Sequence, residues 1–415
     1  MRLRELGLTV GAGTPGPLNA ITDVTGVLVG HTTLISGDGP LDPGNGPVRT
    51  GVTVIRPVPG YIRETPLCAG VHTLNGNGEL TGMAWITESG LLTTPIAITN
   101  THSVGVVRDA LAGIDSREGR SRSGGRALYW SMPAVAETYD GVLNDIEGAH
   151  VRPEHAEAAY NQAASGPVAE GSVGGGTGMI CHQFKGGIGT ASRVLPEQDG
   201  GWRVGVLVQA NHGSRADLRI DGVPVGRFLP DSLVPVPAEY APTGLMDPGA
   251  GSIIVVIATD APVLGDQCRR LAQRAAIGIG RAGGGTSDSS GDIFVAFSTA
   301  GQGTPPEYFL SGAQVPPVID LRALPHDRLT ALFGAVAEAT EEAIINALLA
   351  AGDMTGRDGI TAHGLTAPRL AGAYREAADE LARTAASLSE VAGARTAGTA
   401  GTDGSRTPGG GAGPD

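Results

Sequence analysis

GAGSIIVVIATDAP, residues 249–262, is the stretch from which the rest of the chain is read. Ile253 to Ala258 is an unbroken apolar, mostly β-branched run, the pattern of a strand buried on both faces. It begins immediately after a serine. Upstream, residues 223–250 are Pro-rich and predict an extended linker with little regular structure. Downstream, Leu264, Cys268, Leu271 and Ala275 recur at helical spacing, predicting a helix over about 263–279. A Gly/Ser loop (280–292) then leads into a second strand, Ile293 to Ser298.

Shorter strand signals precede the linker: Gly26 to Gly30, Val52 to Ile55, Pro95 to Ile98 and Val204 to Val208. Helices are expected over 104–114, from Pro153 to Ala164, over 327–351 and over 368–388. The tail from about 391 is rich in Gly, Ala, Thr and Pro and is expected to be disordered. Apolar strands mixed with amphipathic helices are most simply buried as packed sheets covered by helices, an α/β class.

Composition narrows the function. Of 415 residues, 66 are glycine and only 4% aromatic, which favours close packing of small side chains over an aromatic binding surface. The formal charge of −13, without a basic stripe, argues against nucleic acid and anionic membranes as partners. Cys68, Cys181 and Cys268 stand alone, and the nine histidines show no metal-ligand spacing, so neither a metal nor another cofactor is expected. Without a signal-peptide stretch or an 18-residue apolar run, the expected location is the cytoplasm.

The Gly251–Ser252 junction carries the chemistry. Were that bond cut, Ser252 would hold both a hydroxyl and a new α-amine, whose ordinary pKa of about 7.7–8 suits a base near neutrality. Glycine at 251 removes a Cβ that would obstruct attack of the hydroxyl on the preceding carbonyl. A plain turn before a core strand fits the same two residues.

Seven segments carry a resemblance: NAITDVTGVLVGHTTL (19–34), ETYDGVLNDIEG (137–148), VGGGTGM (173–179), FKGGIGTASR (184–193), VGVLVQANHG (204–213), GAGSIIVVIATDAP (249–262) and SGDIFVAFSTA (290–300). In this order they resemble the L-aminopeptidase/D-amidase-esterase and β-aminopeptidase family of self-processing serine hydrolases. The resemblance implies a four-layer α/β/β/α sandwich, like the N-terminal-nucleophile hydrolases but with distinct connectivity. It implies autocleavage between Gly251 and Ser252 into an α chain (1–251) and a β chain (252–390 plus the tail 391–415) that stay associated, assembled as a tetramer of αβ pairs. Ser252 would be the nucleophile and Asn211 the oxyanion donor. Glu137 would hold the substrate's free amino group. Tyr139 would line the site and assist at the reacting carbonyl. Ser290 would hydrogen-bond the new amine and Asp292 would orient it, although some relatives carry Glu at the latter position. The substrate would be a small peptide, amide or ester of an L-, D- or β-amino acid. Alternatives are an acyltransferase of the ornithine acetyltransferase type and a non-catalytic scaffold.

Overall fold

The computed structural model describes all residues except 126–129, 241–243, 245, 248, 302, 308–315 and 400–415, and omits side chains over 392–399. Two sheets form its centre. One has four strands in the order β1 (Leu28–Ser36), β2 (Val48–Arg56), β5 (Ile96–Asn100), β6 (Ala134–Thr138). The other has six, in the order β4 (Leu91–Leu92), β3 (Leu67–Gly76), β12 (Gly291–Ser298), β11 (Ser252–Thr259), β10 (Arg203–Asn211), β9 (Gly187–Val194). A short hairpin, β7 (Ile180–Cys181) and β8 (Phe184–Lys185), lies beside the end of β10.

Alternation along the strands builds the layers. Ile254, Val256 and Ala258 of β11 join Ile55, Ile96 and Ile98 in a core between the sheets. Ile253, Val255 and Ile257 face the other way, into the core shared with α4 (Gly265–Ala282) and α5 (Leu329–Ala350). The four-stranded sheet turns Val52, Val54, Ala97 and Val135 toward α2 (Val104–Arg122) and α3 (Pro153–Asn161). The result is helix, sheet, sheet, helix, the expected four-layer sandwich. Because β11 is buried on both faces, each fully buried Ile or Val contributes about 1.5–3 kcal/mol.

The glycine content has a structural use. A Cβ on Gly189 of β9 would stand 2.0 Å from the Ala343 carbonyl oxygen, so only glycine lets α5 settle onto this strand.

Several boundaries differ from the sequence reading. The first expected helix runs on past 114 to Arg122, because Asp115, paired with the buried Arg63, and Gly119 continue its buried side. Strands β3, β6 and β9 were not expected; their short or Gly-interrupted apolar runs are stabilised by neighbouring strands. The linker over 223–250 contains short 3-10 turns (Val225–Phe228 and Ala238–Tyr240), and part of it lies outside the described residues. The expected disordered tail is corrected at its start: α6 spans Ala367–Thr399, since the alanines there favour helix over the interspersed Gly and Thr. The tail from 400 lies outside the described residues. Among the described residues no helix is long and apolar enough to cross a membrane.

Candidate active site

The start of β11 places Ser252 between two neighbours. Ser252 pairs with Asn211 of β10 on the antiparallel side and with Gly291 of β12 on the parallel side. Alternation with Ile254 turns the serine toward the space between the sheets. The residue is buried, yet it borders a cleft of about 570 Å³ together with Gly251, Glu137, Tyr139, Thr101 and Gly78.

Gly251 has a left-handed φ of +145°, and a Cβ there would fall 1.8 Å from the Asn211 carbonyl oxygen. No other residue fits. The Gly251 carbonyl accepts a hydrogen bond from the Gly291 N–H at 3.2 Å. The carbonyl before Ser252 is therefore already polarised by a backbone donor, as a carbonyl awaiting nucleophilic attack requires.

The Asn211 carboxamide is fixed at both ends. Its Oδ1 accepts from the Ile180 N–H at 2.7 Å, and its Nδ2 donates to the Tyr139 carbonyl at 3.0 Å. A carboxamide has two N–H donors, so a second remains for a developing oxyanion.

Glu137 is buried near the end of β6, where its carboxylate accepts from the Glu79 N–H at 3.0 Å and from the Thr101 hydroxyl. Burial raises its pKa; the bonds from Thr101 and Glu79 oppose the rise. A Cβ on Gly78 would lie 3.2 Å from Glu137 Oε1 and 3.1 Å from the Gly291 Cα, so a glycine-sized gap separates the carboxylate from the strand beside Ser252. Tyr139 is partly exposed on the cleft wall.

Ser290 and Asp292 are brought together, with the Ser290 hydroxyl donating to Asp292 Oδ1 at 2.6 Å. Neither lines the cleft, which Ser289 borders. Asp292 also accepts from Asn75 Nδ2 at 2.6 Å and from the Ile253 N–H, the first amide after Ser252. Burial raises the Asp292 pKa against these donors.

Sequence reasoning missed several supporting residues. Asn75 lies on β3, where a register irregularity sets it opposite Asp292. Asp140 is fully buried and accepts from Asn100 and Asn144, pinning the turn that carries Tyr139; burial pushes its pKa up to about 6. Its place inside the ETYDG segment was the available signal. Chain spacing showed no metal-ligand set, but the fold brings Cys181, His182 and His212 together, with one ligand atom from each within 4.8 Å of the others.

Comparison with known proteins agrees with this geometry. Residues 19–362 match the model of peptidase family S58. A β-peptidyl aminopeptidase of Sphingosinicella microcystinivorans is 52% identical over 367 residues, 87% of this chain and 88% of that protein. Among solved structures, a Burkholderia sp. β-aminopeptidase superposes with a TM-score of 0.82 at 54% identity, covering 91% of this chain and 99% of that one. The L-aminopeptidase D-Ala-esterase/amidase of Ochrobactrum anthropi, described as a variant of the N-terminal-nucleophile hydrolase fold, gives 0.80 at 42% identity, covering 90% and 98%.

Proposed function

The chain belongs to peptidase family S58, and from that premise we propose that it cuts itself between Gly251 and Ser252 and then removes the amino-terminal residue from small peptides, amides or esters. It is a serine aminopeptidase by family, and what is proposed is how its residues do the work. The Ser252 hydroxyl attacks the substrate carbonyl, its proton passing to the freed Ser252 amine, whose ordinary pKa of about 7.7–8 suits the task. The second Asn211 N–H steadies the oxyanion. Tyr139 borders the reacting carbonyl. The leaving amine departs with a proton, and water then releases the acyl group from Ser252. Glu137 holds the substrate's ammonium by a charge-assisted bond. Ser290 and Asp292 orient the Ser252 amine.

The observation that carries this reading is the cleft that Gly251, Ser252, Glu137 and Tyr139 share, although these residues come from different strands and a linker. Association of the two product chains is supported by the sheet order: β11 pairs with β10 and β12 pairs with β3, so a cut before Ser252 leaves a ladder between the products on each side. Assembly as a tetramer of such pairs is proposed by resemblance alone. Three buried free thiols suit a reducing compartment, in keeping with a cytoplasmic location. Family membership favours hydrolysis over acyl transfer or a non-catalytic scaffold.

The higher identity to β-aminopeptidases makes an amide of a β-amino acid the first substrate to test. Turnover of that amide, with none of its N-acetylated form, is expected. Equal turnover of both would remove Glu137 as the anchor of a free amine.

A further inference from the structure

We propose that Cys181, His182 and His212 form a binding site for a thiophilic late-transition-metal ion, zinc or copper. The three are fully or almost fully buried, and one ligand atom from each lies within 4.8 Å of the others. Cys181 Sγ and His212 Nδ1 are 3.9 Å apart. Ligand atoms sharing one such ion lie about 3.5 Å apart, given metal–sulfur and metal–nitrogen bonds of about 2.3 and 2.0 Å, so a contraction of up to about 1.3 Å closes the site.

The protonation pattern suits metal ligation. His182 Nδ1 lies 2.8 Å from the Ser214 carbonyl, which can only accept, so Nδ1 carries the proton. His182 Nε2 is then a bare lone pair, buried and without a hydrogen-bond partner. A ring N–H given to a backbone carbonyl, with the other nitrogen free, is how metal-binding histidines are usually oriented. Lys185 stands close to Cys181. Lys185 itself donates to three carbonyls, those of Gly176, Met179 and Gly186. On binding, the Cys181 S–H bond breaks, a metal–sulfur bond forms and the proton leaves to solvent. One thiolate and two imidazoles match soft, thiophilic ions better than magnesium or calcium.

The site adjoins the proposed oxyanion donor. Ile180, next to Cys181, holds Asn211 Oδ1, and His212 follows Asn211 in the chain. The His182 N–H also bonds the His212 carbonyl at 2.7 Å, so an ion would tie together the two segments that position Asn211. That consequence rests on the reading of Asn211 above. The test below needs no substrate, so the two ideas fail separately.

The full chain is expressed in zinc- and in copper-supplemented medium, and its metal content is measured by mass spectrometry. About one equivalent of one of these metals per chain is expected, retained in Cys268→Ser and reduced at least fivefold in Cys181→Ser and in His182→Gln. X-ray absorption of the wild-type protein, which needs no variant to fold, should show one sulfur and two nitrogen ligands. Wild-type protein without stoichiometric metal from either medium, metal retained in Cys181→Ser, or a shell lacking sulfur would overturn the proposal.

Discussion

Asn211 and Ser252 stand opposite one another in the β10–β11 ladder, with the Asn211 carboxamide held between the Ile180 N–H and the Tyr139 carbonyl. A preorganised donor acts mainly in the transition state. Asn211→Ala should therefore lower kcat of the processed enzyme by about 10²–10³, or about 2.7–4 kcal/mol, with little change in KM. Steady-state kinetics on an amide substrate checks this, and a loss below about tenfold would remove Asn211 from the oxyanion role.

Glu137 must be ionised to hold an ammonium group. Its pKa is raised by burial, so protonation on acidification sets in above the ordinary carboxylate range. The acidic limb of kcat/KM should accordingly lie above pH 4.5. Glu137→Gln should remove the Glu137 contribution to that limb and weaken substrate binding by about 10- to 100-fold, as expected for a charge-assisted hydrogen bond of about 1.5–3 kcal/mol. An unchanged KM in the variant would contradict the assignment.

Much of the sandwich was legible because its strongest elements are locally unambiguous. The β11 run and the α4 stripe state their burial in their own letters. Strand β9 does not, because its glycines look unsuited to a strand until α5 is seen lying against Gly189. The site divides in the same way. Ser252 and its glycine announce themselves by standing between a Pro-rich segment and an apolar run. Asn75 and Thr101 are known only once distant strands have set them beside Asp292 and Glu137. Cys181 and His212 are 31 positions apart, so ligand spacing along the chain could not connect them.

Gly251→Ala places a Cβ against the Asn211 carbonyl oxygen in a backbone conformation that side chains rarely adopt. The variant should remain a single chain and, compared in a Ser252→Ala background, lose at least about 1–3 kcal/mol of stability. Gel analysis and urea unfolding report the two effects. Normal processing would show that the left-handed conformation is dispensable.

Asn75→Ala removes a donor from a buried carboxylate. The Asp292 pKa, already raised, should rise further, since hydrogen bonds to the ionised form hold it down. If ionised Asp292 orients the Ser252 amine, the acidic limb of kcat should move to higher pH, while the Glu137 limb in kcat/KM stays in place. Stability should fall by about 1–3 kcal/mol at neutral pH and less in acid, where Asp292 is protonated. A kcat profile that does not move would confine Asn75 to a structural role.

The central claim is that Ser252 cuts the chain before it acts on any substrate. Intact mass spectrometry under denaturing conditions, on wild type beside Ser252→Ala, tests it most directly. The account predicts two wild-type fragments meeting between Gly251 and Ser252, residues 1–251 and 252–415 of this sequence, and one uncut mass for the variant. A single full-length mass in both, or cleavage of the variant at the same bond, would contradict it.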